Sequence, residues 1–127
     1  MNTGDTFHLR GHENLQPHLW VVVSDPEIDA DRVLIIDFTS DAPGKDRTCV
    51  VKGGSHPCLP HDSCANYPKA RILTNSELEH AKSIGALELN EPLDSALLRR
   101  IQQSAATSED MHNKHRQLLV DQGLCDM

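Results

Sequence analysis

The chain has 127 residues, 38% of them hydrophobic, and a formal net charge of −7. That length suits one domain able to bury a core without cross-links, and the acidic balance disfavours a protein that coats nucleic acid through bulk charge. No apolar run approaches the roughly 18 residues of a membrane helix, and Met1–Asp5 lacks the basic and apolar regions of a secretory signal, so a cytoplasmic protein is expected.

Asp5–Arg10 alternates polar and apolar residues, with Phe7 and Leu9 on one face, and predicts a short first strand. Gly11–Pro17 reads as a polar loop. Leu19–Val23 is a continuous apolar run, too short for a helix and closed by the breaker Ser24-Asp25-Pro26, which predicts a buried strand. After the acidic turn Glu27–Asp31, the run Val33, Leu34, Ile35, Ile36 and Phe38 marks Arg32–Thr39 as the central strand. Ser40–Lys45 is a loop, Thr48–Val51 a short strand, and Gly53-Gly54-Ser55 opens a long irregular segment through Pro60. Ala70–Leu73 predicts the last strand. From Thr74 the pattern turns helical: Asn75 or Ser76 caps a helix bearing Leu78, Ala81 and Ile84, and Gly85 stops it. Leu87 and Leu89 add a short extended piece. Asp94 starts a second helix with the stripe Leu97, Leu98 and Ile101, and Ser108 caps a mostly polar third helix ending near Gly123.

Five short strands followed by helices predict a mainly β, α+β domain, a small curled antiparallel sheet or barrel with helices at one side. Parallel βαβ units are disfavoured, because no helix-length segment separates the first three strands. The four cysteines, Cys49, Cys58, Cys64 and Cys125, are few and unevenly spaced, so reduced thiols are expected. Lys45, Arg47, Lys52, Lys69 and Arg71 make the middle of this acidic chain basic, which fits either a polyanion site or simple solubility.

The order of Gly4-Asp5, His18-Leu-Trp-Val-Val-Val-Ser24, Val33-Leu-Ile-Ile-Asp-Phe-Thr39-Ser40 and Glu91-Pro92-Leu93-Asp94 resembles the MazF/PemK family of toxin–antitoxin toxins. The resemblance covers most of residues 4–104 and lies in the order of short pieces. It implies a single domain, with an SH3-like antiparallel barrel of the MazF/PemK/CcdB type over about residues 4–73 and a helical part over about 75–122. It also implies a homodimer, a cognate antitoxin protein as partner, and cleavage of single-stranded RNA with no metal or other cofactor. Thr39 and Ser40 match the hydroxyls with which the family positions the reacting oxygen. Where the family places an arginine that steadies the scissile phosphate, this chain has His18. A second reading is a non-catalytic barrel toxin that acts by protein contact, as related gyrase poisons do, and the missing arginine is what that reading predicts.

Metal-independent RNA cleavage needs a base for the 2′-hydroxyl, an acid for the leaving 5′-oxygen and a stabiliser for the phosphorane charge. His18 and His61 form a workable acid–base pair, because imidazole offers both forms near neutral pH. Arg10, Lys52 and Arg47 offer positive charge, His12 sits in the first loop where it can line a groove, and Ser63 and Tyr67 are candidates to orient a phosphate. The alternative for His56 and His61 is that they cap turns in a proline-rich loop. Cys58-x-x-His61-x-x-Cys64 also brings three zinc-type donors together in sequence, although Pro57 and Pro60 stiffen the chain between them. Cysteine nucleophilic catalysis at Cys58 or Cys64 has no motif behind it. Trp20 either stacks on a base or belongs to the core or a dimer interface.

Overall fold

The structure is a computed structural model that describes residues 1–10 and 18–126. It is an α+β fold with a seven-stranded, wholly antiparallel sheet and three helices. The strands are β1 (Thr6–Leu9), β2 (Leu19–Val22), β3 (Val33–Ser40), β4 (Val50–Val51), β5 (Ser63–Ala65), β6 (Arg71–Leu73) and β7 (Leu87–Asn90). The helices are α1 (Asn75–Ser83), α2 (Ser95–Ser104) and α3 (Asn113–Asp121). The strand order is β4-β5-β3-β2-β1-β7, and β6 also pairs with β3. The long β3 therefore serves two partners on one edge, β6 along Val33–Ile35 and β5 along Phe38–Ser40. Among the described residues, β4 and β7 do not pair with each other.

The continuous apolar run in β3 has a physical reason: both of its faces are covered. Leu34, Ile36 and Phe38 join Leu19, Val21 and Val23 in a core with Leu97, Ile101, Leu118 and Leu119 of α2 and α3. Val33 and Ile35 join Phe7, Val22 and Leu87 in a second core closed by Leu78 of α1. A buried hydrogen bond from Gln102 Nε2 to the Val23 carbonyl, 2.9 Å, ties α2 to the sheet.

Seven strands replace the predicted five. β5 falls just beyond the irregular segment, where Ser63-Cys64-Ala65 has little β propensity and draws its order from pairing with β3 and β4. Thr74, and not Asn75 or Ser76, caps α1: its hydroxyl accepts from Glu77 N, and the Glu77 carboxylate accepts from Thr74 N, each at 3.0 Å. His112, and not Ser108, caps α3 by accepting from Lys114 N, while the Ser108 hydroxyl donates to Asp46 at 2.6 Å. Gly85 does stop α1, at φ 76°, and Gly85 N and Ala86 N bond back to Lys82 and Ala81 in a Schellman closure. Thr74→Ala is expected to cost about 1 kcal/mol, because it removes the hydroxyl that accepts from Glu77 N. Urea unfolding measures this, and an unchanged midpoint would refute the role given to the cap.

Candidate functional site

Beyond the area covered by α1, the same face of the sheet turns polar. The β2–β3 register sets Trp20 opposite Asp37. His18 immediately precedes β2, two residues before Trp20, and on β3 Thr39 lies two residues beyond Asp37 and pairs with Cys64 of β5. His18, Trp20, Asp37, Thr39 and Cys64 therefore share one face by strand alternation. His18 Nδ1 donates to Asp37 Oδ2 at 2.6 Å. The imidazole is half exposed, at 50%, while the Asp37 side chain is only 7% exposed. This arrangement fixes the tautomer: with its proton on Nδ1, His18 presents a free acceptor at Nε2 to solvent. The second oxygen of Asp37, Oδ1, is buried and has no hydrogen-bond partner among the described residues. The site thus has an oriented base, a buried carboxylate with an unused acceptor, and the hydroxyl-bearing Thr39 alongside.

Asp37 was not among the residues that sequence reasoning selected. The available signal was a carboxylate inside a β-branched run, since ionisable groups are seldom buried unless paired.

The other predicted residues are dispersed. Ser40 pairs with Ser63, and alternation carries it to the opposite face of β3, so Thr39 and Ser40 do not act from one side. His61 is exposed, and among the described residues no hydrogen bond or ring contact links it to His18. Ser63 is buried and its hydroxyl donates to the His61 carbonyl at 3.2 Å. Tyr67, placed by sequence at a phosphate, is fully buried in the core, with its hydroxyl donating to the Ile101 carbonyl at 2.8 Å. Burial pushes the Tyr67 phenol far up. Arg10 pairs with Glu88 on the β7 side of β1, away from β2. Lys52 is exposed, and His12 lies outside the described residues. His56 does cap its turn: Nδ1 accepts from Cys58 N, leaving Nε2 to donate to the Glu91 carbonyl at 2.6 Å.

The zinc-type donors do not converge. Among the described residues no group of three His, Cys, Asp or Glu is arranged to hold a metal ion. Cys64 is fully buried and its thiol donates to Asp41 Oδ1 at 3.5 Å. Burial, and then the Asp41 carboxylate, push that thiol up to about 11. At pH 7 Cys64 therefore holds its proton, and iodoacetamide is expected to label the half-buried Cys58 first. Peptide mass spectrometry reads the order, and faster labelling of Cys64 would contradict this placement.

Among the described residues, a cavity of about 420 Å³ lies away from His18, against the first turns of α2, lined by Ser55, Asp94, Ala96, Leu97 and Arg100. Its polar groups hold the fold: Asp94 caps α2 through Leu97 N, and Arg100 donates to the Val50 carbonyl. Neither His18 nor Asp37 lines this cavity. No protein-family model matches the chain, and no curated protein is significantly similar to it. No helix among the described residues is long and apolar enough to cross a membrane.

Proposed function

We propose that the chain is a MazF/PemK-like toxin that cuts single-stranded RNA without a metal, with His18 as the base. The observation that carries this reading is the 2.6 Å bond from His18 Nδ1 to the buried Asp37, beside Thr39. It supplies the proton acceptor that cleavage through the 2′-hydroxyl requires. His18 Nε2 takes the 2′ proton as the 2′-oxygen attacks the adjacent phosphorus. The bond to the 5′-oxygen breaks, and solvent water protonates that oxygen. The hydroxide left behind is neutralised by the proton held on His18. The products are a 2′,3′-cyclic phosphate and a free 5′-hydroxyl. Asp37 holds the tautomer and stabilises the imidazolium in between.

The same reading takes the sheet as an SH3-like barrel with its seam between β4 and β7, and it brings a homodimer and a cognate antitoxin with it. The test is incubation of the purified protein with a varied pool of single-stranded RNA in the presence of a chelator. Fragments carrying 5′-hydroxyl and cyclic phosphate ends are expected. A pool left intact at high protein concentration would overturn the assignment and favour a toxin that acts by protein contact alone.

A further inference from the structure

The chain carries a net charge of −7, so a polyanion must be met by a local cation. His18 stands where the resemblance puts an arginine, and two of the candidate cations chosen from sequence are held by other partners. Arg10 pairs with Glu88, and Arg47 is bound through two nitrogens to Asp41. Arg32 pairs with Asp29, and Arg100 and Arg116 donate to backbone carbonyls. Arg71 differs. It opens β6, is exposed, and pairs in register with Ile35, which precedes Asp37 by one step on the same face of β3. Its guanidinium carbon lies 5.9 Å from the centre of the Trp20 ring. Among the described residues it forms no ion pair; Glu77, a carboxylate that feels its charge, is committed to the α1 capping box.

We infer that Arg71, held over Trp20, is the phosphate-binding cation of the His18 site, delivered from β6 in place of an arginine at the start of β2. This rests on the nuclease reading above. A guanidinium within cation–π reach of an indole, about 6 Å, is held near the ring without using up its N–H donors. Those donors match two phosphate oxygens at once, which a lysine cannot do with the same geometry. Trp20 on β2 follows His18, the residue before that strand, by two positions, about 7 Å at the rise of an extended chain. Arg71 and the base therefore border one stretch of a single-stranded RNA backbone. Trp20 positions the cation and does not itself need to bind the base. Thr39, two residues beyond Asp37 on β3, belongs to the same face.

Trp20 is the single tryptophan of the chain, so its fluorescence reports on this place alone. The probe is a mixed-sequence 2′-O-methyl RNA oligonucleotide, which binds but offers no nucleophile for cleavage. Wild-type protein is expected to show a saturable change in emission. Arg71→Ala is expected to weaken binding roughly tenfold and to lower the slope of log K against log salt by about 0.7, one phosphate contact on a single strand. Arg71→Lys should keep the salt slope yet recover only part of the affinity and of kcat/KM on cleavable RNA. Arg71 is exposed, so these variants should fold as wild type does, and circular dichroism checks it. If wild type binds and cuts RNA while Arg71→Ala matches it in affinity, slope and rate, the inference falls and the nuclease reading stands. If wild type neither binds nor cuts, both fall.

Discussion

His18→Ala is expected to lower RNA cleavage by the folded protein by about 10²- to 10⁴-fold, the usual range for removing a general base, and to lower stability as well, because it leaves the buried Asp37 carboxylate without its partner. The loss should fall on kcat and not on KM, because the proton transfer belongs to the transition state and the imidazole makes no other contact that binds substrate. Asp37→Asn is expected to cause a loss of similar order through a different route. The amide can donate to His18 Nδ1, which moves the imidazole proton to Nε2 and blocks the atom that must accept the 2′ proton. Stability should change little in this variant, since a buried charge is removed and the shape is kept. Ser40→Ala serves as the control: on the opposite face of β3, it should cleave at nearly the wild-type rate. Wild-type turnover in His18→Ala would remove the base assignment outright.

The strands that frame the site were legible because their signals are local. Leu19–Val23 and Val33–Phe38 are apolar runs bounded by breakers, and both lie in β2 and β3 within a residue or two. The resemblance also put His18 and Thr39 at the ends of these strands: His18 immediately precedes β2, and Thr39 is the last residue but one of β3. Asp37 was hidden for the opposite reason. Its importance comes from the cross-strand register, a non-local fact that no single segment encodes. Ser40 and Thr39 looked like a unit because they are adjacent in sequence, yet adjacency in a strand means opposite faces. The donors Cys58, His61 and Cys64 looked like a cluster because their spacing is short. Pairing of Cys64 in β5 turns it toward Asp41, while His61 remains exposed in the preceding loop. Arg71 was noted only as part of a basic stretch, because what sets it apart is the Trp20 ring beneath it.

Ile101→Ala is expected to be the most destabilising of the substitutions discussed, by about 2–5 kcal/mol, with a fall in Tm on the order of 10 °C. Ile101 is fully buried at the centre of the core that α2 and α3 form on the sheet, so its missing carbons leave a cavity that rigid neighbours cannot fill. The backbone carbonyl survives the change, so the bond from the Tyr67 hydroxyl remains available. Tyr67→Phe separates the two contributions. It removes that hydroxyl alone, and the Ile101 carbonyl still accepts from Ala105 N at 3.2 Å, so the cost is held to about 1 kcal/mol. The pair also decides where Tyr67 belongs. A phosphate-binding tyrosine would raise KM on losing its hydroxyl and leave the unfolding midpoint alone. A core tyrosine does the reverse: the urea midpoint drops, and RNA cleavage by the folded fraction stays at the wild-type rate. The burial of Tyr67 against α2, on the face of the sheet away from His18, requires the second outcome.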